Sequence, residues 1–551
     1  MSSIEEYRTT CPFCPVHDKL ILKRKPSNNA VFRKSNLFGL YYDKKNDRGL
    51  CARGNFTLEL LNSPYRNRNV KVKGKQISLD RAIKKCSSKL KNISKERNKV
   101  AILIGGNHTL EEGYLVKDLS EELNTELIGL FPFEDEALLS VKNDFSFEDL
   151  KEADLIFSVG DVFSHSPTLA KSILDARNKK RGNRLLALDI IRGRISPFAE
   201  SYITPPGSIA YFLWNFLRYL DNRENFELEK TALGLPAKAL EEIAGSLLKC
   251  KNGWILFSNI YGHFSSPYTI VFLLEKIARK TGNHFAVLPV GQNTLGIGRI
   301  IGKFNNSTII NRLKNGDLKG LLTLGANPFE LIPGFEDISS NLDFILSTAF
   351  FSSEDFPGYL FPSTFSFEKE GSVISLEEEI ETLGEAVPPV GDAISDGNLI
   401  SKLLYEISGK EVKAKVLPIK PLEWKEVKEP MVPSSLADKK FPFIILGFGL
   451  PFHHGDGEIT RRMNWNKKRG GPYLFINPTQ LKDLGLGKKV RVVTPYSSSE
   501  FKIGNINELP FDIPKSVLAV PTHYPESRKL FGFEQDRDGF ISPGALRARL
   551  E

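Results

Sequence analysis

At 551 residues the chain is long enough for two to four domains. Its hydrophobic fraction of 41% and charged fraction of 26% are those of a globular protein, and no apolar run reaches the length of about eighteen residues that a membrane-spanning helix needs. The net charge of +9 is spread along the chain; its basic stretches "LKNISKERNK" (90–99) and "RNKKRGNR" (177–184) carry no finger spacing or interleaved aromatics, so no nucleic-acid partner is expected. Five cysteines do not make a disulfide framework, and "MSSIEEYRTTC" lacks the basic start and apolar run of a secretory signal. A cytoplasmic protein is expected, or one peripheral at the inner face of a membrane.

The first 60 or so residues read as irregular and hold three of the five cysteines. Cys11-x-x-Cys14 alone fits half a zinc site, a redox pair or chance; a redox pair would need a βαβ context that is absent. Cys51, in "GLCARGNF", adds a third thiol after the same segment. Three readings stay open on these residues: an iron–sulfur cluster, zinc held by Cys11, Cys14, Cys51 and His17, or three unrelated thiols.

From residue 79 the pattern changes. Leu79, Ile83, Cys86 and Leu90 share one helical face, so Cys86 belongs to a core. "KVAILIGG" (99–106) reads as a buried strand, and Thr109-x-x-Glu112 as a capping box opening a helix. The same unit recurs. "ADLIFSVGD" (153–161) precedes a helix near 167–178, "RLLALDI" (184–190) follows it, and "GWILFSN" (253–259) precedes a helix near 267–280. "LKGLLTLGANP" (318–328), "LDFILST" (342–348) and "GYLFPST" (358–364) complete the series. Continuous apolar strands between amphipathic helices mean parallel sheets covered on both faces. Residues 416–440, with four prolines and many charges, read as a linker. The last 110 or so residues carry short β-type runs and read as a separate, largely β domain. Glycine-ended turns at 158–167 and 323–330 suit phosphates weakly, and "GLPFHHGDGEITRR" (449–462) reads equally as an anion-binding loop or a plain surface loop.

The order of these pieces resembles the molybdopterin oxidoreductases. That family opens with C-x2-C-x3-C and a distant C-x-[KR]-G; Cys11, Cys14, Asp18 and Cys51, with Arg53 and Gly54, match it here. "SVGDVFSHSP" through "PPGSIAYF" is similar to the family's G-x-N-P…H-P…D-x-R passage, "LGANPFE" to its second G-x-N-P turn, and "HHGDGEITRR" to the start of its dinucleotide-binding domain. "LFPSTFSFEKEGSVISLEEEIETLGEAVPPVGDA" resembles the matching passage of the large molybdopterin-type subunit of NADH-quinone oxidoreductase (complex I), without that subunit's ferredoxin-like N-terminal segment.

The resemblance implies an α/β protein with a small N-terminal iron–sulfur domain (1–62). A doubly wound α/β domain (63–125 and 315–430) would carry a second inserted in it (126–314), and a β-barrel-like domain (436–551) would close the chain. It implies a 4Fe–4S cluster on Cys11, Cys14, Asp18 and Cys51, with Arg53 between cluster and pterin. It also implies a molybdopterin guanine dinucleotide with Mo or W, contacted by Gly160, Asp161, His165, Asp189, Gly325, Asn327, His454 and Thr460. Two departures stand out. Asp18 replaces a thiolate with a harder ligand. The stretch 124–150, where active members carry the metal's own ligand, has Ser140 and acids but no cysteine. The acidic run "LEEEIE" (376–381) is expected to repel a pyrophosphate. The expected function is that of an oxidoreductase subunit, related to the large subunit of complex I, carrying electrons among the other electron-transfer subunits of a larger complex. Any membrane contact would be made through those partners. The alternatives are an active Mo or W formate dehydrogenase-type enzyme and a scaffold that has lost its cofactors.

Overall fold

The computed structural model describes residues 4–24, 37–43, 48–61, 63–222, 235, 237–259, 265–351, 353, 355–411, 426–430, 437–467, 471–505, 509, 512–543 and 546–551. The expected linker at 416–440 lies largely outside these residues.

The N-terminal segment departs from its irregular reading. Glu5–Thr10, Lys19–Arg24 and Leu37–Tyr42 form a three-stranded antiparallel sheet. Its first strand, EEYRTT, is too polar to announce itself, and only its end is buried. The second contributes Leu20 and Leu22, both fully buried. The Cys11–Asp18 segment is the turn between these two strands, closed by the Cys11 N–H donating to the Asp18 carbonyl at 2.9 Å.

The centre is α/β, with two sheets. In the seven-stranded sheet the order is Lys75–Gln76, Lys71–Val72, Tyr359–Pro362, Phe344–Ala349, Gly320–Leu324, Val100–Gly105, Ile128–Phe131. The five strands from Tyr359–Pro362 to Ile128–Phe131 are parallel. The chain leaves this sheet after Phe131 and returns at Gly320. Between them it builds a five-stranded parallel sheet, ordered Glu200–Ile203, Arg184–Asp189, Leu155–Val159, Gly253–Phe257, His284–Val287. One doubly wound unit is thus inserted in another. The helices form as their patterns require: Leu79–Ile93 buries Ala82, Ile83, Cys86 and Leu90, and Leu110–Glu122 starts with the Thr109–Glu112 capping box. The C-terminal region closes a six-stranded barrel from Phe443–Phe448, Val517–Pro521, Tyr473–Ile476, Ser498–Ile503, Lys489–Val493 and Arg547–Leu550.

Strand order reverses between Leu155–Val159 and Gly253–Phe257 in one sheet, and between Val100–Gly105 and Gly320–Leu324 in the other. Crevices at the carboxyl ends of strands open at such switch points. The second crevice ends in Gly105, Gly106 and Gly325, and the barrel's 446–459 region faces it. Among the described residues no helix is long and apolar enough to cross a membrane.

Candidate functional site

The cysteine corner is built by two short elements. Cys11, Phe13 and Cys14 are buried in the turn, and Cys51 is the residue before the helical turn Ala52–Asn55. A Cβ at Gly54 would stand 3.4 Å from the Cys11 sulfur, in ordinary van der Waals contact, so the helical turn packs directly against the thiol. Gln292 clamps the corner from the inserted unit: its Nε2 donates to the Cys11 carbonyl (3.1 Å), and its own carbonyl accepts from His17 Nε2 (2.8 Å). The other His17 nitrogen lies 3.4 Å from the Glu381 carboxylate. Both ring nitrogens therefore face other partners. Among the described residues no three His, Cys, Asp or Glu side chains converge tightly enough to hold a single metal ion. A zinc set of Cys11, Cys14, Cys51 and His17 is not assembled.

Cys11, Cys14 and Asp18 are buried, Cys51 is half-buried, and the four are electrostatic neighbours. Burial pushes the Cys11 thiol well up, and Cys51, Cys14 and Asp18 add to it; burial pushes Cys14 up to about 11, with Arg53 opposing. Three thiols and a carboxylate that repel one another in a buried site form a donor set that cationic iron stabilises. Asp18 is 3% exposed and accepts a hydrogen bond from Arg48 Nε at 3.2 Å on Oδ1.

Arg53 is 1% exposed. Its guanidinium donates to the His165 carbonyl (2.6 Å) in the inserted unit and to the His453 carbonyl (3.3 Å) at the barrel entrance. It joins three parts of the chain that are remote in sequence. Its charge, after burial itself, helps hold His165 down to about 3. His453 is lowered to about 3 by burial, Arg461 and Arg53. His454 and His523 are likewise lowered, chiefly by burial. These rings are neutral near pH 7.

A cavity of about 180 Å³ lies at the switch point of the seven-stranded sheet. Of the residues expected to contact a pterin, Gly325 and His454 line it. The others are placed differently. Gly160 (φ 85°) turns the chain at the end of Leu155–Val159. The Asp161 carboxylate accepts from the N–H groups of Phe163, Ser164 and Arg194 and from the Ser164 hydroxyl. His165 Nε2 donates to the Pro289 carbonyl (3.1 Å), and its Nδ1 accepts from the Ser258 hydroxyl (2.8 Å). Asp189 Oδ1 accepts from the Ile190 N–H (2.7 Å), and Asn327 caps the turn at Phe329. The Thr460 hydroxyl receives hydrogen bonds from His453 Nδ1 and the His454 N–H. Their polar atoms hold the protein's own turns.

The cavity's lining contains groups that the sequence pattern did not single out. His108 has Nδ1 2.9 Å from the Gly105 carbonyl and Nε2 2.8 Å from Asp396 Oδ2. Lys369 donates to Glu112 Oε2 at 2.7 Å. Arg528 lies 3.9 Å from Asp456. Burial raises the Glu134 carboxyl, and burial with Glu330 and Asp456 raises Glu458 to about 8. The 124–150 stretch thus reaches the cavity through Phe131, Phe133 and Glu134, whereas the Ser140 hydroxyl donates to the Ala137 carbonyl and lies outside the lining. Of the two side-chain cations of the lining, Lys369 bonds a carboxylate, while the Arg528 Nε and one terminal nitrogen are buried without a hydrogen-bond partner. The acidic run 376–381 does not line the cavity: Glu381 pairs with His17 and Lys19, Glu378 with Arg299, and Glu377 accepts from the Phe147 N–H.

No family model matches the chain. It is similar to the F420-dependent formate dehydrogenase subunit alpha of Methanocaldococcus jannaschii, 22% identical across 94% of this chain and 95% of that protein. It is also similar to the F420-dependent formate dehydrogenase 2 subunit alpha of Methanococcus maripaludis, 23% identical across 89% of this chain and 91% of the relative. Among solved structures, acetylene hydratase from Pelobacter acetylenicus superposes with a TM-score of 0.71, covering 98% of this chain and 99% of its own, at 11% identity. The architecture is therefore shared with acetylene hydratase.

Proposed function

We propose that this protein is a molybdopterin-oxidoreductase-type subunit that binds an iron–sulfur cluster and carries electrons within a multi-subunit complex. The near full-length similarity to formate dehydrogenase alpha subunits supports the family. The finer resemblance to the large complex I subunit is not matched by these relatives and rests on the passage 360–393 and on the lack of a metal-ligand cysteine in 124–150. The domain division follows the resemblance: 1–62, 63–125 with 315–430, 126–314, and 436–551.

The observation that carries the reading is Arg53, buried beside the cysteine corner and bonded to backbone at both adjoining units. Cys11, Cys14, Cys51 and Asp18 would hold a 4Fe–4S cluster, which supplies one-electron transfer when bound. The burial of Cys11 and Cys14 excludes water from two of the sulfurs, while Cys51 is half-buried. Arg53 places a fixed cation where an arriving electron needs stabilising, and neutral His165 and His454 keep that cation unshared by further charge. Of the cavity's two side-chain cations, Lys369 is already matched by Glu112, whereas Arg528 keeps its Nε and one terminal nitrogen buried without a hydrogen-bond partner and open to an anion. Other electron-transfer subunits are the implied partners. Iron and sulfide analysis of anaerobically purified protein tests this reading, and protein without iron would end it. Formate oxidation is the second reading, favoured by what the relatives are named for. It requires bound Mo or W and dye reduction by formate.

A further inference from the structure

Arg48 is the residue that the cluster reading leaves without a role. Its Nε donates to Asp18 Oδ1 at 3.2 Å, and its guanidinium lies over the Phe147 ring, 3.6 Å from the centroid. The arginine is 13% exposed at its side chain and the aspartate 3%. Phe147 opens the short helix Phe147–Lys151, on the far side of the 124–150 stretch, and is itself buried. The guanidinium is thus held by a ring from a distant part of the chain and aimed at the one non-sulfur member of the donor set.

Resting on the proposed cluster, we infer that Arg48 sets how firmly the site holds the iron bound to Asp18. A carboxylate is already a harder and weaker donor to iron than a thiolate. A charge-assisted hydrogen bond draws electron density from the same oxygens and offers the carboxylate a competing partner. The iron on Asp18 is therefore the labile one. It leaves as Fe²⁺ when its bond to the Asp18 oxygen breaks. A four-iron core of charge +2 then becomes a three-iron core of charge zero, so no electron is exchanged, and the freed carboxylate remains paired with Arg48. Added Fe²⁺ reverses the step.

The experiment uses the full chain, purified anaerobically and challenged with a chelator. Iron release is followed, and the three-iron core is read by its electron paramagnetic resonance signal after mild oxidation. Wild type should lose one iron ahead of the rest and regain it from Fe²⁺. Arg48→Met should slow that loss about tenfold, the worth of one charge-assisted hydrogen bond. Arg48→Lys should behave like wild type, Phe147→Leu should fall between, and Asp18→Cys should abolish the early phase. Unchanged or faster release in Arg48→Met, with Asp18→Cys still slow, would overturn the role of Arg48 while leaving the cluster standing. Absence of iron from wild type and Asp18→Cys alike would overturn the cluster reading itself, and this inference with it.

Discussion

Arg53→Met tests how the cysteine corner is joined to the rest of the molecule. Methionine keeps much of the side-chain length and removes the charge. It leaves the His165 and His453 carbonyls without donors that now sit at 2.6 and 3.3 Å. Each buried acceptor left unsatisfied costs about 1–3 kcal/mol. Removing a cation that is 1% exposed recovers part of that. A net loss of about 2–4 kcal/mol follows, concentrated at the junction. The loss is local to one junction, so hydrogen exchange there is a more direct readout than a global melt. Backbone hydrogen exchange at 162–166 and 450–460 reads the junction directly, and both segments should exchange faster. Exchange at the histidine ring carbons adds a second readout, because Arg53 depresses His165, His453, His454 and His523 together. All four should titrate at higher pH in the variant. If Arg53→Met left both segments as protected as wild type, the guanidinium would not be what ties the units together.

Arg66 and Glu368 form a two-pronged pair at 3.1 and 2.7 Å, with both side chains essentially unexposed. Arg66→Ala leaves that carboxylate buried without its cation and should cost about 3–5 kcal/mol, seen as a lower midpoint in denaturant. Stability should also fall on both sides of mildly acidic pH. His165 and His453 have folded values of about 3, so below pH 6.5 the unfolded chain binds two protons that the fold refuses; down to about pH 4.5 the protons that Asp135, Glu136 and Glu458 keep in the fold offset this, and below it acid destabilises. Asp135, raised to about 7, and Glu136 and Glu458, raised to about 8, keep protons that the unfolded chain has lost, so stability falls again as pH rises from 6.5 to 8. Thermal midpoints across pH 3–9 check this, and a steady rise from pH 6.5 to 8 would contradict it.

The parts of this molecule that were legible in its sequence are those where one local pattern decides the outcome. Val100–Gly105 is apolar at every position and fully buried, and the Thr109–Glu112 box sits where the spacing puts it. The N-terminal sheet was not legible, because its first strand alternates exposed polar residues and is buried only by contacts elsewhere. Cys11, Cys14 and Cys51 stand out by residue type. Arg48 does not, since its meaning comes from Asp18 and Phe147, thirty and ninety-nine positions away. His108 and Asp396, 288 positions apart, meet only through the sheet's return after residue 320. The residues matched to pterin contacts had the right types at the right turns. Whether such a side chain faces a ligand or caps its own turn depends on backbone geometry that spacing does not encode.

The metal content of anaerobically purified full-length protein bears most directly on the proposed function. The expected result is about three to four irons per chain with matching sulfide and the resonance spectrum of a cluster. Protein without iron would contradict the electron-carrying role, and stoichiometric Mo or W with formate-dependent dye reduction would establish the enzyme reading in its place.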